Sequence, residues 1–238
     1  MNDMSDWKPK RFWKQAAVAE TAEGYAVELD GRPVRTPAKA PLLLPTRALA
    51  EAIAAEWDAQ ESEVDPINMP FTRTANAAID KVRIQQAEVA DMLAAYGDSD
   101  LLCYRADSPA ELVELQAQTW DPALDWAAET LGVRLRPVQG VMHQPQPASA
   151  IETLTRKVHA LNPFQLAAFH DLVSLSGSLV LGFAAALNWR KADEIWQISR
   201  LDETWQEEQW GPDDEARALA AVKRAAFLHA KAAYDIST

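Results

Sequence analysis

The spacing of apolar residues changes near residue 70, and one architecture alone cannot absorb both spacings. Before that point Tyr25, Val27 and Leu29 alternate with Ala26, Glu28 and Asp30, the period of two that belongs to a half-covered strand. Asp30-Gly31 follows at once and reads as a hairpin turn, because a two-residue turn needs positive φ and glycine supplies it cheaply. Ala22-Glu23-Gly24 offers a turn on the other side, so residues 12–19 are expected to pair with residues 25–29. Pro33, Pro37, Pro41 and Pro45 then punctuate short extended pieces such as Leu42-Leu43-Leu44. Next comes one helix with Leu49, Ile53 and Trp57 on a single face. After residue 70 apolar residues recur every three or four positions: Ala75, Ala78, Ile79 and Val82, then Val89, Met92, Leu93 and Tyr96.

The expectation is an α+β chain: a small β-rich N-terminal domain over residues 1–70, then a mostly α-helical C-terminal domain over residues 71–238. Helix starts are expected at Ser108-Pro109-Ala110-Glu111 and Ser149-Ala150-Ile151-Glu152, which have the capping-box pattern, and at Asp121-Pro122 and Asn162-Pro163. Gly132 and Gly211 are expected to end helices. Residues 133–146 alternate around Val133 and Leu135 and carry prolines, so they form a long connection or an added strand. Residues 174–187 are the most apolar run, interrupted by Gly177 and Gly182. A membrane-spanning helix needs about 20 apolar residues, so this run is expected to be a buried core helix.

Composition excludes several functions. The formal charge of −12 repels phosphate, so a general nucleic-acid partner is not expected. A single cysteine, Cys103, supports neither a disulfide framework nor a Cys-rich zinc site. Beside Arg105 it is either an activated thiol or a buried inert one. His143, His159, His170 and His229 show no helical metal-ligand spacing, and Asp98-Ser99-Asp100 lacks the glycine and glutamate of a calcium loop, so a turn or helix cap is expected there. No glycine pattern fits a phosphate loop. No catalytic residue, metal, cofactor or small-molecule substrate is therefore expected. Residues Met1 to Trp7 carry no basic region followed by an apolar one, which points to a cytoplasmic protein without membrane insertion. Lys8, Lys10, Arg11 and Lys14 form a contact or a solvated arm.

Tryptophan and acid gather near the C-terminus. Four of the nine tryptophans, Trp189, Trp196, Trp205 and Trp210, fall within 22 residues, and residues 192–215 hold nine acids against one base, Arg200. With residues 190–210 laid on one helix at about 100° each, Ile198, Leu201 and Trp205 share a core seam. Trp196, Arg200, Glu203, Glu207 and Trp210 share the opposite face. Either Arg200 pairs with Glu203 or Glu207 on an ordinary solvated face, or the face docks a protein, since Trp and Arg are favoured anchors and acids steer a basic partner.

Several stretches together resemble the Atp-twelve family, the assembly chaperones that attend the α subunit of the F-type ATP synthase. They are Arg11-Phe12-Trp13-Lys14, Leu29-Asp30-Gly31-Arg32-Pro33 with Thr36-Pro37, Leu44-Pro45-Thr46, Glu56-Trp57 with Gln60, Met69-Pro70 and Ala78-Ile79-Asp80. Leu112-Val113-Glu114-Leu115-Gln116, Trp120-Asp121-Pro122, Leu201-Asp202-Glu203 with Gln206, and Trp210-Gly211 continue the match to about residue 215. Where the family often has a histidine after the acidic turn, this chain has Arg217. The resemblance implies a non-catalytic protein that binds newly made α subunit and covers surface later met by the β subunit. It also maps the family's important acid onto Glu203, within a motif that brings in Asp202 and Gln206, and it implies a bacterial member in the cytoplasm, the mitochondrial matrix being the organelle equivalent. Two other readings use the same residues: a small helical enzyme with Glu203 and Asp202 in acid–base roles, and an acidic adaptor with a different partner.

Overall fold

The computed structural model describes residues 10–238. The expectations for Met1 to Trp7 and for Lys8 lie outside the described residues. The chain divides into two compact units, the first holding the described residues up to Ile84 together with Asp235–Thr238, the second Gln85–Tyr234. The change of apolar period at residue 70 marks the start of a helix that still belongs to the first unit.

In the first unit β1 (Ala16–Thr21) pairs antiparallel with β2 (Gly24–Leu29), Ala16 opposite Leu29 and Thr21 opposite Gly24. Asp30 (φ 50) and Gly31 (φ 78) then turn the chain into β3 (Arg32–Pro33), with Leu29 opposite Arg32. Both φ values are positive, as a tight hairpin between twisted strands requires. β4 (Leu43–Leu44) also pairs with β2. Helix α1 (Arg47–Asp58) starts at Thr46, whose hydroxyl accepts the Leu49 N–H at 3.2 Å, and buries Leu49, Ala50, Ile53 and Ala54. Helix α2 (Pro70–Ala77) runs into a π-helical turn, Ala78–Val82, and the expected stripe Ala75, Ala78, Ile79 and Val82 is buried.

Single polar side chains tie these pieces together. Arg11 donates through Nε to the Trp13 carbonyl (3.1 Å) and through its other nitrogens to the carbonyls of Lys14, Asp58 and Gln60. Asp30 accepts the N–H groups of Lys14 (3.0 Å) and Gln15 (3.0 Å), which hold its carboxyl below the usual range. Asp80 accepts the Thr36 hydroxyl (2.6 Å) and the Ala38 N–H (3.1 Å). Glu56 caps α2, accepting the N–H groups of Phe71 (2.6 Å) and Thr72 (2.8 Å), a favourable place for negative charge at a helix N-terminus.

The second unit is helical. Helix α3 (Gln86–Ala94) buries Ala90, Leu93 and Ala94, whereas Met92 is exposed, so the expected stripe is rotated. Small residues win that face because α5 comes close: a Cβ on Gly97, just beyond α3, would lie 3.1 Å from Leu154 Cδ1. Tight turns Ala95–Ser99 and Leu101–Cys103 lead to β5 (Tyr104–Arg105). Helix α4 (Ala110–Trp126) continues through a π-helical turn to Gly132, whose φ of 73 ends it. The 133–146 segment is a long connection containing the two-residue strand β6 (Val138–Gln139), parallel to β5, with Val133 and Leu135 buried. Helices α5 (Ala148–His159), α6 (Pro163–Ser176), α7 (Leu179–Ala186), α8 (Ala192–Ser199), α9 (Leu201–Trp210) and α10 (Asp214–Asp235) follow.

Four local expectations need correction. The Asn162 box forms, accepting from the N–H groups of Phe164 and Gln165, but the two serine boxes do not. The Ser108 hydroxyl donates to Asp107 instead (3.2 Å), and Ser149 is already inside α5. Pro122 lies within α4 and does not begin it; the proline and Gln118, whose carbonyl it leaves without an N–H, both face solvent. The apolar run at 174–187 is two buried helices, because left-handed Gly177 (φ 70) ends α6 and the Ser178 hydroxyl caps α7. Among the described residues no helix is long and apolar enough to cross a membrane.

At Gly182 the close approach of α6 and α7 excludes a side chain: a Cβ there would sit 2.6 Å from Val173 Cγ2. Gly182→Ala is therefore expected to lower stability by about 1–2 kcal/mol, overpacking outweighing the gain in helix propensity. A chemical-denaturation midpoint shifted downward checks it.

Candidate docking groove

The stretch read as one helix from 190 to 210 is broken at Arg200 (φ −104, ψ 16). In an unbroken helix the Ile198 carbonyl would accept the N–H of Asp202. Here the indole Nε1 of buried Trp120 takes it at 2.9 Å, and the Ser199 hydroxyl donates back to the Trp196 carbonyl at 2.7 Å. The single-helix face therefore splits. Trp196 is 3% exposed, against Phe227, so it belongs to the core and not to a docking face. Arg200 lies over the Trp196 ring and pairs with Glu203, which is the solvated-face alternative for that pair. Glu207 pairs with Arg217 at 3.1 Å, the position where the family pattern departs. Ile198 and Leu201 are buried as a core seam requires, while Trp205 is half-buried.

On its other side α9 forms one wall of a groove of about 580 Å³. Asp202, Trp205, Gln206, Gln209 and Trp210 come from α9, Leu112 and Gln116 from α4. The strand and loop from Tyr104 to Pro109 and the turn at Gly140-Val141 close the remaining sides. Of the residues singled out in the sequence, Asp202, Gln206 and Trp210 meet here; Trp196, Arg200, Glu203 and Glu207 do not line it.

The floor is built around Gln116, which is 2% exposed. Its Oε1 accepts the Ala106 N–H (2.8 Å) and its Nε2 donates to Asp202 Oδ1 (2.7 Å), so one buried amide ties the loop to α9. Arg105 lines the groove but spends its charge elsewhere, on the Leu102 carbonyl (2.7 Å), on Asp121 (2.8 Å) and over the Trp120 ring. The rim is apolar and open: Trp210 is 80% and Val141 90% exposed, with Met142 beside it. Val141 and Met142 were not singled out in the sequence; Trp205 was read as part of the core seam, and Gln116 entered only within a stretch of the family resemblance.

The Cys103 thiol is buried beneath this loop, and burial together with nearby Asp100 pushes it up to about 12, so Arg105 does not activate it. His143 bridges the Tyr104 hydroxyl (3.1 Å) and Asp98 (3.3 Å), and His159 pairs with Asp91 (2.7 Å). His170 is raised by its hydrogen bond to Asp171. Asp98 and Asp100 serve turns, as read, Asp98 accepting the Gln146 N–H and Asp100 that of Leu102. Among the described residues no group of three or more His, Cys, Asp or Glu could hold a metal ion.

The helical unit of this α+β chain carries an open groove with an apolar rim and two carboxylates in its lining, an exposed apolar patch of the kind that marks interaction sites. Residues 10–128 match the family described as ATP12 chaperone protein. The chain belongs to that family, and it is a chaperone. It is 28% identical over 222 residues to protein atp12, mitochondrial, of Schizosaccharomyces pombe, covering 88% of this chain and 76% of that one. The crystal structure of Atp12 from Paracoccus denitrificans is similar at 47% identity and a TM-score of 0.95, over 98% of this chain and 100% of that one. A point mutant of the same protein has a TM-score of 0.96 with the same identity and coverage. The Atu1473 protein of Agrobacterium tumefaciens is 43% identical with a TM-score of 0.90, over 96% of this chain and 86% of that one.

Proposed function

We propose that this chain binds the newly made α subunit of the F-type ATP synthase in the bacterial cytoplasm and holds it until assembly with the β subunit, without catalysis. An isolated α subunit exposes apolar interface that aggregates unless covered. The observation that carries the reading is the groove: an exposed tryptophan and valine on its rim, the Asp202 and Asp107 carboxylates in its lining, and a helix carrying six of its ten residues as acid or tryptophan. Such a surface suits reversible holding, since the aromatic anchors supply affinity and the acids steer a basic partner. Family membership supports the same reading.

The test is co-expression with the cognate α subunit and size-exclusion chromatography of the soluble fraction. The α subunit is expected to stay soluble and to co-elute only when this chain is present. Equal aggregation with and without it sinks the proposal. Glu203→Lys breaks the pair with Arg200 on the side of α9 away from the groove lining and reverses one of the acids that set the helix's negative field. It is expected to weaken retention of α roughly tenfold while the melting temperature stays within a few degrees, a loss of order 1.4 kcal/mol in binding alone. If Glu203→Lys unfolds the chain, Glu203 is structural and not a contact.

A further inference from the structure

Of the four acids on α9, Glu203 is taken by Arg200 and Glu207 by Arg217, and Glu208 is exposed outside the groove lining. Asp202 is different: it is half-buried, its described partner is the neutral Gln116 amide, and the cation nearest in the groove lining, Arg105, is committed to Asp121 and the Leu102 carbonyl. A second carboxylate in the lining, the exposed Asp107, accepts the Ser108 hydroxyl and pairs with no cation among the described residues. Around these two acids stand Trp205, Trp210, Leu112 and Val141.

We propose that the groove receives a segment of the client in which one lysine or arginine is flanked by apolar side chains, the cation reaching Asp202 and the neighbours lying on Trp205 and Trp210. This rests on the chaperone reading above and names the chemistry that its surface selects. A half-buried carboxylate without a cation gains a charge-assisted hydrogen bond when a cation arrives, and indole faces accept both the aliphatic stem and the charge of Lys or Arg. The Gln116 amide holds Asp202 in place before the ligand comes, which cuts the ordering cost of binding. An acidic segment is repelled by Asp202 and Asp107 together, and a purely apolar one leaves them desolvated and unpaired. The site is therefore selective for one mixed pattern and not for exposed apolar surface in general.

The test uses the full chain co-expressed with the cognate α subunit. Asp202→Asn keeps an oxygen to accept from Gln116 and removes only the charge. It is expected to weaken α retention roughly tenfold or more, and the wild-type affinity is expected to fall with added salt while that of the variant does not. Trp210→Ala, at an exposed position, provides a second variant with no part in the core. A photo-crosslinking residue at Gln209, analysed by mass spectrometry, is expected to mark an α-subunit peptide with Lys or Arg between apolar residues. If wild type retains α and both variants retain it equally, or if the marked peptide lacks a basic residue, the groove assignment is overturned and the chaperone reading stands. If wild type fails to retain α, the chaperone reading falls and this inference with it.

Discussion

Trp120→Ala is expected to cost about 3–5 kcal/mol, a large share of the 5–15 kcal/mol that ordinarily holds a chain of this kind together. The residue is fully buried, its ring lies beneath the Arg105 guanidinium, and its indole N–H is the partner of the Ile198 carbonyl at 2.9 Å. Truncation leaves a cavity the size of an indole and a buried carbonyl with no donor. Thermal melting should fall by roughly 10–15 °C. Trp120→Phe isolates the second effect. It keeps most of the apolar volume and removes the donor, for an expected loss of about 1–3 kcal/mol. The released carbonyl is then free to accept from the Asp202 N–H, which would straighten the break between α8 and α9 and turn Asp202 away from Gln116. Amide exchange over residues 199–206 is expected to change, and α-subunit retention to fall by more than the lost stability explains. Unchanged exchange there, with wild-type retention, would show that the indole N–H is not what sets the break.

That break also marks where sequence reasoning reached its limit. Periodicity within single elements was legible: the Tyr25, Val27, Leu29 alternation, the Asp30-Gly31 turn and the Leu49, Ile53 face all appear where their spacing puts them. The change near residue 70 falls where α2 begins, since sheets and helices bury residues at different intervals, but α1 lies before it, β5 and β6 lie after it, and the compact units divide at Ile84. Long-range polar bonds left no periodic trace. Nothing in the spacing of residues 190–210 shows that Trp120, far away in the chain, ends a helix by taking Ile198's carbonyl. The single-wheel face consequently joined Trp196, which is core, to Trp210, which is exposed. The family resemblance carried this information without explaining it. Arg11, Asp30, Thr36, Glu56, Asp80, Gln116 and Trp120 lie in its matching stretches, and each ties together segments that local patterning treats separately. The groove was half legible for the same reason: Asp202, Gln206 and Trp210 stand close together in sequence, whereas Leu112, Gln116 and Val141 join them only through the fold.

The contribution of Asp100 to stability should fall as pH rises through its titration window, the opposite of an ion-paired carboxylate. Asp100 is fully buried, and burial raises its carboxyl from 3.8 to about 6 even though it accepts the N–H groups of Leu102 (3.1 Å) and Val180 (3.0 Å). Well below about pH 4 the group is protonated in both folded and unfolded chains and has no pH-dependent effect. Between about 4 and 6 the folded chain keeps the proton that the unfolded chain has released, so each rise in pH favours unfolding. Above 6 both forms are charged and the effect is complete. A shift of that size corresponds to about 3 kcal/mol. Other carboxylates titrate over the same range, so the measurement is the difference between wild type and Asp100→Asn, whose amide does not titrate. From pH 4 to pH 7 wild type is expected to lose about 2 kcal/mol relative to the variant, the rest of the effect lying below pH 4; a constant difference overturns the assignment. The acid persists despite this cost because it joins two N-termini. One oxygen caps the turn that leads into β5 and the groove wall, and the other caps α7, where the helix dipole favours negative charge. Asp100→Ala leaves both N–H groups buried without an acceptor, about 1–3 kcal/mol each, and is expected to lower stability at every pH, including those where the proton is held.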